Sequence, residues 1–259
     1  MNTTSLPSTT DWIKAVPASH DRLAGLLTPL SVEQVHGPAY PTQWSIADTA
    51  SHLGSQGEIF HQFLSAGLAG AEPPRTDVFA PIWDRWNGLP PAEQVSESII
   101  ANEPFVAQLE QVSPEQQDTF GLSMFGRDFD LAQMASMRLG EHALHTWDIE
   151  VALDPSATIG ASAVDLMIDT VGQTASRAGK PDSGIGPITV ETTSPQRRFL
   201  LTVADSVTLE SDAPPAEDPL ALPAEPFLRL VTGRLDHDHT PTGIVDPRVD
   251  QLRAVFTGF

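Results

Sequence analysis

Glu141 and His145 stand four residues apart in the segment EHALHTWDIE, residues 141–150. On a helix that spacing sends a carboxylate and an imidazole out of one face. At 100° per residue, Arg138, Glu141, His145 and Asp148 fall within an arc of roughly 80°. Leu139, Ala143, Leu144 and Ile149 flank this polar stripe. If buried, the stripe has to be satisfied by hydrogen bonds or by a metal ion. Glu-x-x-x-His offers one oxygen and one nitrogen to a single ion, at about 2.0–2.2 Å. His142 points about 100° away from Glu141, toward a neighbouring helix.

A third ligand has to come from another element, and His52 is the best placed. It lies two turns into a predicted helix, in WSIADTASHLG, with Ile46, Ala50 and Leu53 around it. Facing helices of a bundle converge their polar side chains on one centre. Three protein ligands leave a fourth position open, the pattern of a catalytic metal. Asp48, one turn before His52, and Asp148 are candidate acceptors that would orient the imidazoles. The bland reading also fits the spacing: pairs at i, i+4 are ordinary surface contacts. A single histidine on a mixed helix face is ordinarily a packing or surface residue. The residue order is not that of the HExxH zinc proteases, which place histidine first.

The elements that would position these residues are mostly helical. One helix is predicted over residues 11–29, with Pro17 marking either a kink or its first turn. A Gly/Pro-rich loop, VHGPAYPTQW, follows. Ser45 then reads as an N-cap, with Asp48 three residues on and Trp44 as a staple. The helix it opens extends to about residue 66. A long loop to about residue 91 leads to a third helix over 91–112, and a fourth spans 129–153 before Asp154-Pro155. Four such helices predict a bundle. Beyond Pro155 one helix is expected over 161–178, then strands in ITVETT, RRFLLTVA and SVTLES. SDAPPAEDPLALPAEP reads as a loop, and two short helices close the chain over 224–233 and 247–256. The fold class is therefore α+β: a four-helix bundle over residues 1–155 and a small α+β domain over 156–259.

Composition narrows the function. The 259 residues carry a formal net charge of −20, which disfavours nucleic acid and anionic membrane surfaces as partners. No apolar run approaches the ~20 residues of a membrane span. The start, MNTTSLPSTTDW, lacks the basic and apolar regions of a signal peptide, so a soluble, cytoplasmic protein is expected. Lys14 and Lys180 are the only lysines against twelve arginines. With the many alanines and prolines, this fits the coding bias of a high-GC, actinobacterial genome. There is no cysteine, so a metal must be held by His, Asp or Glu, and any thiol chemistry must use an external thiol.

The pairing of WSIADTASHL with a later RLGEHALHTWDI resembles the mycothiol-dependent maleylpyruvate isomerase family, within the DinB-like metal-dependent four-helix bundles. LRLVTGRL, near residue 230, is similar to that family's C-terminal domain, and the likeness covers nearly the whole chain. The resemblance implies a zinc ion on His52, Glu141 and His145. Two imidazoles and one carboxylate also serve other divalent ions. It further implies arginines near the pocket for substrate acids. Arg234 in TGR matches the C-terminal motif, Arg85 in WDRWN matches less closely, and Arg138 reads equally as a structural partner of Glu141 or Asp148. Trp44 and Trp147 read as packing residues.

With zinc and one open position, a small-molecule thiol would ionise near neutral pH. Mycothiol is the thiol the resemblance implies. Its attack on a small electrophile, such as an unsaturated acid, ends in cis–trans isomerisation if the thiol is expelled. It ends in S-transfer if the adduct stays. Metal-dependent hydrolysis and a non-catalytic binding or stress-response module are the alternatives. LDHDHT, residues 235–240, is a second histidine–acid cluster, read as an exposed acidic loop. His20, His36 and His61 read as surface or packing residues.

Overall fold

The computed structural model describes residues 7–40, 43–124, 126–181 and 184–258. The chain divides into two compact units, Pro7–Ile159 and Gly160–Phe259. The first is helical with one small hairpin and the second mixes helices with a sheet, an α+β chain as the patterning predicts.

Four long helices build the first unit: α1 (Thr9–Leu27), α3 (Ile46–Ala69), α5 (Pro91–Glu110) and α7 (Leu131–Leu153). α3 packs most extensively along α5 and α1 along α7, and contacts of α1 with α5 and of α3 with α7 close the ring. Leu23 and Leu27 of α1, Ile46, Ala50 and Leu53 of α3, Val95 of α5 and Ile149 of α7 share one core cluster.

Side-chain caps set the N-terminal ends of three of these helices. Ser8, Ser45 and Asp130 each close a capping box with the residue three further on: Asp11, Asp48 and Gln133. Each box satisfies amide donors that the first helical turn leaves without intrahelical partners. α3 ends at Gly70, whose φ of 60° is the left-handed conformation that glycine adopts without steric cost. α1 runs continuously through Pro17, so the proline neither opens nor ends the helix.

Several elements depart from the sequence expectation. The loop after α1 holds α2 (Val32–Val35), capped by Ser31. The predicted long loop before α5 contains a 3₁₀ turn at Thr76–Val78 and a helix, α4 (Phe79–Asn87). Between α5 and α7 lie α6 (Pro114–Thr119) and an antiparallel hairpin of β1 (Leu122–Met124) and β2 (Arg127–Phe129).

In the second unit, the helix expected over 161–178 is two, α8 (Ala161–Met167) and α9 (Val171–Ala178). The three expected strands form as β3 (Ile188–Thr193), β4 (Arg197–Val203) and β5 (Val207–Ser211). A fourth, β6 (Leu220–Pro223), lies inside the acidic Pro-rich stretch and pairs parallel with β3, giving the order β5-β4-β3-β6. α10 (Ala224–Val231) sets Phe227 against Phe199 of β4, and α11 (Pro247–Val255) completes the unit. No helix among the described residues is long and apolar enough to cross a membrane.

Candidate metal centre

α3 and α7 are neighbours in the ring, and each presents one side of the site. His52 Nε2 lies 3.2 Å from Glu141 Oε2, and His145 Nε2 lies 3.7 Å from the same oxygen. Each of the three residues offers a ligand atom within 4.8 Å of the others, and no other group of three acids or imidazoles does so among the described residues. Two ligands about 2.1 Å from one ion, at a tetrahedral angle, stand roughly 3.4 Å apart. The two distances to Glu141 bracket that value.

The surroundings fix the state of each donor. Asp148, fully buried, accepts a 2.8 Å hydrogen bond from His145 Nδ1, which leaves Nε2 as the atom facing Glu141. Burial pushes the Glu141 carboxyl up, but the His52 hydrogen bond and the charges of His145, His52 and Arg138 outweigh it. They hold the group at about 2, so it is an anion at neutral pH. Trp44 lies over both imidazoles, its ring centroid 5.3 Å from that of His52 and 6.0 Å from that of His145. The indole immediately before the Ser45 cap thus reaches two helices, which sequence reading missed. Of the two roles expected of it, Asp48 takes the capping one. Its Oδ2 accepts from the amide and hydroxyl of Ser45 at 2.9 and 2.7 Å and serves the helix cap.

A groove of about 520 Å³ opens beside His52. Trp44, Trp83, Gln56 and Asn87 line it, and no arginine or lysine is among its lining residues. Arg85 borders a second groove of about 510 Å³ with Glu58 and His61, and its Nη2 donates to Glu58 at 2.5 Å. Trp83 and Arg85 are 200° apart around α4, so the two side chains serve opposite sides of that short helix.

Arg138 lies in the core with 0% exposure. Its Nη2 donates to the Leu53 carbonyl at 3.2 Å and to Asn102 Oδ1, so it bridges neither Glu141 nor Asp148 as expected. Burial lowers it to about 10, which leaves it cationic at neutral pH. Arg234 belongs to the second unit, where its Nη1 donates to the Thr232 carbonyl at 3.2 Å. His142 is buried against α1, with Nδ1 3.3 Å from Ser19 Oγ and its ring 5.9 Å from that of His20. Burial drives it well below the ordinary histidine range, so it is neutral. In the 235–240 cluster, His239 Nδ1 meets Asp236 Oδ1 at 2.7 Å, while His237 is largely exposed.

Fold and site together define a four-helix-bundle protein with a His–Glu–His cluster between two of its helices. The family model described as mycothiol maleylpyruvate isomerase N-terminal domain matches residues 16–150, more than half of the chain, and the chain belongs to that family. Its fold is similar to a crystal structure of the mycothiol-dependent maleylpyruvate isomerase, with a TM-score of 0.66 at 12% identity. The match covers 89% of this chain and 92% of that one. A histidine-to-alanine mutant of the same enzyme matches with the same score and coverage at 11% identity. At such identities the likeness is one of fold. No curated protein matches the sequence.

Proposed function

We propose that His52, Glu141 and His145 hold a divalent metal ion, zinc by resemblance, and that the protein activates mycothiol for attack on a small electrophile. The observation that carries this reading is the convergence of two imidazole nitrogens on one ionised carboxylate oxygen, at 3.2 and 3.7 Å. The donor set fits such an ion: neutral imidazole nitrogen and carboxylate oxygen are ligands that zinc accepts. A bound divalent cation supplies the charge that keeps a thiol ionised near neutral pH.

The chain's own residues do the rest. Glu141 stays ionised, Asp148 fixes the His145 tautomer, and Trp44 covers one side of the imidazole pair. With no cysteine in the chain, the sulfur nucleophile comes from outside. Adding the thiolate to an activated double bond forms one C–S bond and leaves a carbanion stabilised by the activating group. Rotation about the resulting single bond, followed by loss of the thiolate, is a cis–trans isomerisation. Protonation of the carbanion instead retains the adduct and completes a transfer. Arg234 is proposed, on the resemblance of its TGR segment alone, as the anchor of an anionic substrate. Arg85 borders the other groove and Arg138 is enclosed in the core, so neither is retained in that role.

The test pairs metal analysis with thiol chemistry. Purified protein should carry about one zinc or similar ion per chain. Mycothiol with a panel of electrophiles, followed by mass and double-bond geometry, should give either isomerised product with free thiol or a stable adduct. Turnover without any thiol would favour hydrolysis, and metal binding with no turnover would favour a binding module. Arg234→Met should raise KM for acidic substrates, and unchanged kinetics would remove Arg234 from the site.

A further inference from the structure

We infer that Arg138 and Asn102 are positioning residues for the metal ligands: a buried clamp that sets the distance between His52 on one helix and Glu141 and His145 on another. The inference rests on the metal reading above.

The clamp joins three helices at the level of the site. Arg138 precedes Glu141 by three residues on α7, about 4.5 Å along the axis and on the same face. Its Nη2 donates at 3.2 Å to the carbonyl of Leu53, the residue that follows His52 on α3. The same nitrogen donates to Oδ1 of Asn102 on α5. Asn102 Nδ2 in turn donates to the Leu53 carbonyl at 3.3 Å and to the Ser98 carbonyl at 2.7 Å. A second tie to α3 comes from Phe60, whose ring centroid lies 5.4 Å from the guanidinium carbon of Arg138.

The packing is built to admit this arrangement. A Cβ on Gly57 of α3 would stand 2.9 Å from both the Ala101 carbonyl and Asn102 Oδ1. Only a glycine lets α5 come close enough for Asn102 to reach the Leu53 carbonyl. Arg138 and Asn102 are 0% and 1% exposed, so neither touches a ligand in a groove.

The clamp is an expensive way to fill a core. Arg138 Nε and Nη1 are buried without a hydrogen-bond partner among the described residues. An apolar side chain of similar volume at such a position is often neutral or stabilising for the fold. What the apolar residue would lack is a directional hold on the backbone beside His52. Metal ligands tolerate little misplacement, and removing the partners that orient them costs about 10–100-fold in affinity.

Arg138→Met and Asn102→Leu separate the positioning role from stability. Zinc affinity would be read by competition with a chromophoric chelator, and ligand geometry from the visible spectrum of cobalt(II)-loaded protein. Circular dichroism and thermal unfolding would verify the fold. Each variant should fold, bind zinc about 10–100-fold more weakly and show an altered cobalt spectrum. The double variant should be no weaker than the worse single one, because both changes release the same clamp. Wild-type affinity and an unchanged spectrum in either folded variant would overturn the clamp. Wild-type protein that binds neither zinc nor cobalt would overturn the metal reading instead. Should Arg138→Met not fold, Asn102→Leu alone decides the matter.

Discussion

Two regions of this chain gather histidines and acids, and they differ in how the chain brings them together. His52 and Glu141 are 89 residues apart and meet because α3 and α7 pack side by side. His239 and Asp236 are three residues apart and meet because a turn folds back on itself, with the His239 amide donating to Asp236 at 2.8 Å and its ring at 2.7 Å. In the turn, the acid is used up in holding the local backbone. In the bundle, helix caps and helical hydrogen bonds have already satisfied the backbone, so the side chains remain available to each other. A local cluster satisfies itself. A cluster assembled from distant helices leaves donors over for something else.

The largest effect should separate the two regions outright. Ala at His52, Glu141 or His145 should take zinc content from about one per chain to near none, while Ala at His237 or His239 should leave it intact. Elemental analysis of the six proteins, wild type included, decides this, and full zinc in any of the first three would collapse the distinction. Asp148→Asn should have a smaller effect, weakening zinc binding by about 10–100-fold as the acceptor that orients His145 loses its negative charge. Titration against a chelator measures it.

Next in size is the response to acid in metal-free protein. His142 sits well below the ordinary histidine value when folded. The unfolded chain binds a proton below about 6.5 that the buried ring refuses, so stability present above that pH falls as pH drops through it. Glu141 adds a second limb. Its folded value of about 2 lies below the ordinary 4.5, so its contribution is present above 4.5 and is lost as pH falls toward 2. Denaturant midpoints from pH 8 to 3 should show both limbs, and His142→Leu should reduce the first, to which the neighbouring His20, also lowered by burial, contributes. The smallest effect belongs to the turn: Asp236→Ala should cost about 1 kcal/mol, read by denaturant unfolding, with zinc binding unchanged.

What the sequence revealed follows the same division. The cap at Ser45 and the C-terminal end of α7 are legible because Ser-x-x-Asp and the Asp154-Pro155 stop are local chemistry. Glu141 and His145 were legible as a pair because helical periodicity places them on one face, and the bundle pattern suggested His52. α4 was hidden because FAPIWDRWN is only nine residues long and is bordered by Pro and Gly signals that read as breakers; Pro81 is tolerated in a first turn. β6 was hidden because LALP is four residues of alternation, and its partner β3 lies some 30 residues earlier in a parallel pairing that no hairpin signal announces. The break between α8 and α9 falls at Ile168–Thr170, where neither Gly nor Pro marks it. The helical angle of Arg138 matches that of Glu141 and Asp148, and spacing alone therefore pairs it with carboxylates. Its true partners, a carbonyl on α3 and an amide on α5, are fixed by packing that spacing does not contain.

Trp44 gives the site an optical voice. Its indole is within 5.3 and 6.0 Å of the two imidazoles, near enough for their charge to alter its emission. An arriving ion, or a proton on either ring, should therefore change the fluorescence of one indole among the five tryptophans. The difference between wild-type and Trp44→Phe spectra would isolate that signal. Occupancy of the centre could then be followed in real time, with no label attached to the protein.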